Sequence, residues 1–337
     1  MPHLLGRRAT TARRWLGVLA AMMCLGALPA ASAAATPSTL TLLTEPGAGV
    51  APIYGFLESA RHSLDLTMYE LVDPAAEAIL ARDAVSGVRV RVLLDRTGEE
   101  TANDPAYRYL SARGVSVRWA SSRYDRTHEK AAVIDGSRAV VMTLNLVSQD
   151  YAGTRDFAVL DAQPSDVAAI ETVFQADWSA TALAAPRGVD LVWSPGSESA
   201  IVSLIDSAQH RLLVENEEMD DRYITTPLEN AAQRGVDVEI VMTRDPEWNA
   251  ALDALSAAGA HVRTYSQSAS LYIHAKAIVA DPSRTGARAF VGSENFSIAS
   301  LIYNRELGLI TAAGGVVHGV SATIEGDFAG ATPWHSS

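Results

Sequence analysis

Beyond about residue 36 the chain alternates short apolar runs with longer mixed stretches, and the alternation is written twice. Leu64–Met68 and Arg89–Leu94 have the length of strands, while Pro52–Arg61 and Pro74–Ser86 read as helices between them. Gly87 and Gly235 follow helical stretches, where a C-terminal cap calls for a left-handed residue. Arg89–Leu94 alternates charged and apolar residues, which predicts a strand with one covered face near a sheet edge. Strand, helix, strand order predicts an α/β fold of mixed sheets flanked by helices, with ligands at strand ends.

The second half repeats the first segment by segment. Ser59–Leu66 corresponds to Ser207–Val214, Gly87–Leu94 to Gly235–Met242, and Leu110–Arg118 to Leu255–Arg263. The entry turns Pro46-Gly47 and Pro195-Gly196 agree as well. A nearly constant offset predicts one domain duplicated, with the join near Ala185-Pro186 and halves of residues 36–185 and 186–337.

Chemistry sits in the repeat. His128 and Lys130 precede the apolar run Ala131–Ile134 and Asp135; His274 and Lys276 lie two apart in an apolar run that Asp281 closes. The two-residue spacing predicts both side chains of each pair on one face of a strand. A second short run follows in each copy, Ala139–Val141 or Ala289–Val291. It leads to Met142-Thr143-Leu144-Asn145 in the first and Gly292-Ser293-Glu294-Asn295 in the second. Further on come Arg155-Asp156 and Arg305-Glu306. Asp135 and Asp281 stand an odd number of residues from their His, so they are read as structural. Zinc ligation by His128 and His274 is disfavoured, because Lys repels a metal and no further ligands stand at workable spacing.

Two copies of His-x-Lys-x4-Asp, each with a downstream Asn and acid, resemble the phospholipase D superfamily of HKD phosphodiesterases. The resemblance implies that the halves pack as a pseudo-dimer, uniting both motifs in one cleft without a metal or other cofactor. His128 is then the nucleophile that forms a phosphohistidine, and His274 the acid that protonates the leaving alcohol. The residue types suit these roles. Lys130 and Lys276 hold non-bridging oxygens, Asn145, Asn295 and Ser293 add donors, and Thr143 contacts substrate. Asp156 and Glu306 each accept from the distal ring nitrogen of a His and fix its tautomer. Met142, where the second copy has Gly292, is expected to crowd the first half's phosphate contact.

Other candidates are weaker. Glu70 and the Glu217-Glu218 pair follow equivalent strands, and Glu70 and Glu218 are taken as substrate contacts. His62 and His210 read as packing or cap residues. Arg118, Trp119, Arg123, Tyr124 and Arg126 form a loop before the first motif, either touching phosphate or membrane or simply exposed.

The first 35 residues read as an export signal: Arg7, Arg8, Arg13 and Arg14, the apolar stretch Trp15–Leu28, then Ala31-Ser32-Ala33 as cleavage site. Sec and twin-arginine export both fit. The one cysteine, Cys24, lies inside this segment, and Met23 before it disfavours a lipoprotein. The mature protein is therefore expected to be secreted and free of disulfides. The net charge of −12 falls to −16 once the segment's four arginines are removed. Such a charge disfavours non-specific binding of nucleic acid or anionic lipid. These features favour a secreted hydrolase of phospholipid headgroups, a monomer in transient contact with a membrane surface. An extracellular nuclease of the same chemistry is the runner-up, and a non-catalytic phosphate- or lipid-binding relative the third reading. A synthase of cardiolipin type is expected to need membrane-spanning helices, which are not seen beyond the signal.

Overall fold

The computed structural model describes residues 39–336; the candidate export segment lies outside the described residues. The first half runs β1 (Leu40–Glu45), α1 (Ala51–Glu58), β2 (Ser63–Met68), β3 (Leu71–Val72), α2 (Pro74–Val85), β4 (Arg89–Leu94), α3 (Glu100–Ser111), β5 (Ser116–Trp119), β6 (Ala131–Ile134), β7 (Arg138–Met142), β8 (Leu146–Val147), β9 (Thr154–Asp161) and α4 (Pro164–Trp178). Residues 181–187, around the expected join, hold neither helix nor strand. The second half runs β10 (Leu191–Ser194), α5 (Glu198–Ser207), β11 (Arg211–Glu215), α6 (Arg222–Gln233), β12 (Asp237–Thr243), α7 (Asn249–Ala257), β13 (His261–Tyr265), β14 (Tyr272–Ile273), β15 (Ala277–Ala280), β16 (Arg288–Gly292), β17 (Glu306–Thr311), α8 (Gly314–Gly330) and β18 (Thr332–Pro333).

Local chemistry explains the boundaries. Pro74 opens α2, and the Asp73 carboxylate accepts from the backbone N–H groups of Ala75 and Ala76 at 2.9 and 3.3 Å. Gly87, at φ 93°, turns the chain out of it. The first helix stops at Glu58, three residues short of the expected end. Asp135 is the reason: its carboxylate accepts from the backbone N–H groups of Arg61, His62 and Ser63 at 2.6–3.1 Å and draws that segment out of helical geometry. Asp281 clamps Gln209, His210 and Arg211 in the same way. Both aspartates are structural, as expected, but they do not point away from within a strand. They lie just past strand ends in left-handed conformations, at φ 53° and 50°. The imidazoles of His62 and His210 are exposed, and these residues serve the clamp through their backbone.

The two sheets share one topology. The first has the order β1-β9-β7-β6-β2-β4-β5, and the second β10-β17-β16-β15-β11-β12-β13-β18. In each, three strands are parallel (β2, β4, β5 or β11, β12, β13), and the strands toward the other edge pair antiparallel. β4 lies next to an edge strand, as its alternation predicts. An apolar core on the outer face of each sheet packs against α1–α3 or α5–α7. A third core joins the halves: Val133, Val141, Phe157 and Val159 meet Trp193, Leu213, Val279 and Leu309, with residues of α4 and α8. This is a pseudo-dimer within one chain.

Two partly buried ion pairs cross the join in mirror fashion. Arg155 bonds Asp327 of α8, and Arg305 bonds Asp177 of α4 at 2.8 and 3.1 Å. Among the described residues no helix is long and apolar enough to cross a membrane.

Candidate active site

The segment carrying each His-Lys pair docks onto the other half. Tyr272 and Ile273 in β14 pair in parallel with Thr154 and Arg155 at the start of β9. The mirror contact is a bridge between Thr127 and Arg305, with the His128 N–H donating to the Arg305 carbonyl at 2.9 Å. The His-Lys pairs thus precede β6 and β15 rather than lying within a strand, because their backbones are engaged across the join. The residue after each Arg is the acid, so docking brings each His to the opposite half's carboxylate. His128 Nδ1 lies 2.8 Å from Glu306 Oε2, and His274 Nδ1 lies 2.7 Å from Asp156 Oδ1. A carboxylate only accepts, so Nδ1 carries the proton in both rings and Nε2 of a neutral ring keeps its lone pair.

A second layer fixes the carboxylates. Glu306 Oε1 accepts from the Ser300 hydroxyl at 2.6 Å and from Asn304 Nδ2 at 3.1 Å. Asp156 accepts from the Thr143 hydroxyl at 2.6 Å, and Thr143 Oγ1 accepts from the Phe157 N–H. Thr143 is fully buried and holds the acid, so it does not contact substrate as the sequence suggested. Ser293 is also withdrawn: it is fully buried, with its hydroxyl engaged by the backbone N–H and carbonyl of Leu307.

The two lysines differ in their partners. Lys130 Nζ donates to the His128 carbonyl at 2.7 Å and lies 4.9 Å from the Tyr69 ring centroid. Tyr69 also meets the His128 ring edge-on, at 4.5 Å between centroids. Lys276 Nζ donates to the His274 carbonyl and, at 2.9 Å, to Glu217. Tyr69 and Glu217 occupy equivalent positions in the repeat, after β2 and β11. Tyr69 and Glu217 are not among the substrate contacts expected from sequence, where Glu70 and Glu218 stand instead, although the repeat offset marks Tyr69 and Glu217 as a matched pair.

Each Asn stands with the opposite His. Asn145 lines a cavity of about 450 Å³ with His274, Asp156 and Glu217. Asn295 lines one of about 470 Å³ with His128, Glu218 and Asn304. The side-chain oxygens of both Asn residues lack a hydrogen-bond partner, and Asn295 Nδ2 donates to Glu218 at 3.0 Å. Glu70 is half-buried. Burial and the charges of Glu99 and Asp150 raise its pKa, while Lys130 and His274 oppose the rise. Arg126 reaches the cleft and donates to the Tyr69 hydroxyl at 3.1 Å, whereas Arg118 and Arg123 bond backbone carbonyls of Trp178 and Ala180. Trp119 stacks on Tyr107.

Met142 does not crowd the cleft. It packs into the first half's outer core with Leu144 and Leu146. In the second half a Cβ on Gly292 would stand 2.2 Å from a Glu294 carboxyl oxygen, so the volume of a side chain there is taken by Glu294. That buried carboxyl has no hydrogen-bond partner, and burial raises its pKa well above the ordinary value.

Burial, opposed by Glu306 and aided by Lys130, pushes the pKa of His128 down to about 4. Burial, opposed by Glu306 and aided by Lys276, pushes that of Lys130 down to about 7. Burial disfavours ionisation of Glu306 and Asp156 as well. Each is nevertheless held below the ordinary carboxylate range, first by its own His, with Lys130 and Ser300 adding for Glu306 and Lys276 and Thr143 for Asp156. The ligand-free site near neutrality therefore holds a neutral His128 beside an anionic Glu306, with Lys130 close to the midpoint of its own titration. This gives a pH prediction. kcat/KM rises as pH passes upward through about 4, where His128 loses its proton, and falls as pH passes about 7, where Lys130 loses its charge. An acid limb at the free-imidazole value of about 6.5 contradicts the burial of His128 as the controlling factor.

Among the described residues no group of three or more His, Cys, Asp or Glu is placed to hold a metal ion.

Residues 53–178 and 201–328 each match the family described as "Cardiolipin synthase, PLD-like domain". Cardiolipin synthase A of Pseudomonas entomophila is 26% identical over 354 aligned positions, covering 92% of this chain and 72% of its own. A cardiolipin synthase of Listeria monocytogenes is 22% identical, over 68% of this chain and 55% of its own. Among solved structures, the phosphatidylserine synthase of Haemophilus influenzae superposes with a TM-score of 0.68 at 12% identity, over 89% of this chain and 88% of the other. The polyphosphate kinase of Porphyromonas gingivalis gives 0.66 at 16% identity, over 85% of this chain and half of its own length. At these identities the structural likenesses show the fold.

Proposed function

The chain belongs to the PLD-like domain family of the phospholipase D superfamily of phosphodiesterases, and on that premise we propose that it cleaves the headgroup phosphodiester of a phospholipid through a phosphohistidine. The observation that carries the reading is the crossed pair of His–carboxylate contacts at 2.8 and 2.7 Å. His128 Nε2 bonds to phosphorus as the phosphorus–oxygen bond to the headgroup breaks, and His274 gives its proton to the departing oxygen. A second acceptor then gives a proton to His274, attacks phosphorus and releases His128. Lys130, Lys276, Asn145 and Asn295 supply charge and donors around the phosphate. Water as acceptor gives hydrolysis and an alcohol gives transfer; the relatives named cardiolipin synthase support an alcohol beside water.

The cleft favours lipid over nucleic acid. Its walls near His128 carry Asp125, Glu218, Asp220 and Glu247 against one cation, Arg126, which opposes a polyanion. Ile298 lines the cavity and is exposed, and the segment that follows it exposes Ile302 and Tyr303 as well. Apolar side chains at the mouth of a phosphate site suit transient contact with a bilayer surface. Export by residues 1–35 belongs to the same proposal and places the enzyme outside the cell. The test is a chelator-treated assay of phosphatidylcholine, phosphatidylglycerol, cardiolipin and single-stranded DNA side by side, with and without ethanol. Headgroup release from lipid that yields phosphatidylethanol when ethanol is present is the expected result. Cleavage of DNA alone moves the reading to the nuclease alternative.

A further inference from the structure

The two halves part company at Tyr69 and Glu217. In the first half the aromatic ring lies beside Lys130. In the second, Glu217 Oε2 lies 2.9 Å from Lys276 Nζ, 3.4 Å from Asn295 Nδ2 and 3.7 Å from His274 Nε2. These are three of the groups placed above around the phosphate and its leaving oxygen. The other carboxylate oxygen accepts from the Tyr272 hydroxyl at 2.9 Å, which anchors the side chain. We propose that Glu217 is an internal anion seated where a phosphate oxygen of the substrate binds, and that it selects phosphodiesters over phosphomonoesters.

Charge gives the selection its basis. A diester carries one negative charge and replaces one carboxylate on Lys276, whereas a monoester carries nearly two at neutral pH. The carboxylate is firmly ionised. Burial disfavours its charge, but Lys276, His274 and the Tyr272 hydroxyl outweigh burial and hold its pKa well below the ordinary range. Substrate entry moves the carboxylate aside without removing it from the neighbourhood. A cavity of about 150 Å³ adjoins it, lined by Arg244, Trp248 and Tyr272 and also by the acidic side chains of Glu218 and Asp245. The Arg244 guanidinium lies over Trp334 and is a cation available to the displaced carboxylate. A monoester then meets a second anion close by, which lowers its affinity by about 10- to 100-fold relative to a diester. Headgroup hydrolysis turns a diester into a monoester, so the same charge hastens product departure.

This inference rests on reading the cleft as a phosphodiester site, and the experiment separates the two. Binding of inorganic phosphate and of dimethyl phosphate to the intact protein is measured by titration calorimetry at pH 7.5, for the wild type and for Glu217→Gln. The wild type is expected to prefer dimethyl phosphate, and Glu217→Gln to bind inorganic phosphate at least about 10-fold more tightly with a smaller change for the diester. Tyr272→Phe, which loosens the anchor without changing charge, is expected to move the preference the same way by less. An unchanged preference in a folded Glu217→Gln protein overturns the inference and leaves the phosphodiester reading intact. Absence of binding of either anion to either protein overturns both.

Discussion

Replacing His128 with Asn lowers turnover by about ten-thousand-fold or more while the folded protein melts within a few degrees of the wild type. The geometry separates the two effects. The Asn side-chain amide retains a donor for Glu306, whose carboxylate also keeps the Ser300 and Asn304 bonds at 2.6 and 3.1 Å. The buried acid is therefore not orphaned, and the large penalty for an unpaired buried charge is avoided. The lone pair at Nε2 is lost outright. Without it the covalent route is closed, and what remains is the smaller contribution of Lys130, Lys276 and the Asn side chains to stabilising charge on the phosphate. Turnover on whichever substrate the wild type cleaves, measured beside thermal melting, checks the prediction. Activity within about tenfold of the wild type contradicts the role given to His128.

Much of this arrangement was legible in the chain. The repeat offset marked two equivalent halves, and the order of short runs predicted a mixed sheet in each. The spacing of His128, Lys130, Asn145 and Asp156, matched by His274, Lys276, Asn295 and Glu306, picked out residues that the structure brings to the cleft. What was not legible is the exchange between halves. Periodicity describes which way a residue faces within its own sheet. It carries no information about which strand a neighbouring half adds, so the pairing of His128 with Glu306 rather than Asp156 appears only when Thr127 docks beside Arg305.

The misread residues share one cause: each lies at or just beyond a strand end, where alternation stops determining direction. Thr143 and Ser293 follow β7 and β16 and turn inward, one to Asp156 and the other to Leu307. Met142 corresponds to the glycine of the other copy, but side chains exchange volume there. Leu144 is apolar where Glu294 is acidic, so the first half fills its core with Met142 and the second fills the space above Gly292 with Glu294. Glu217 and Glu218 are adjacent in sequence, yet Lys276 bonds Glu217 whereas Glu218 takes its bond from Asn295. The contrast between Tyr69 and Glu217 further shows that the duplicated halves are unequal at the chemistry, which fits one His acting as nucleophile and the other as acid.

In the proposed mechanism a covalent bond between phosphorus and His128 forms before any acceptor enters, and removal of His274 isolates that step. A nitrophenolate leaves as a stable anion near neutral pH, so its departure does not need the proton that His274 supplies. Breakdown of the intermediate still needs a base for the incoming water, and His274 is that base by microscopic reversibility. In His274→Asn protein mixed with the p-nitrophenyl ester of phosphatidic acid, the first step therefore proceeds and the second stalls. The expected result is a rapid burst of nitrophenolate approaching about one equivalent per protein, followed by a slow steady rate, with no burst in His128→Asn protein. A wild type active on this ester, with no burst from His274→Asn or an equal burst from His128→Asn, contradicts it.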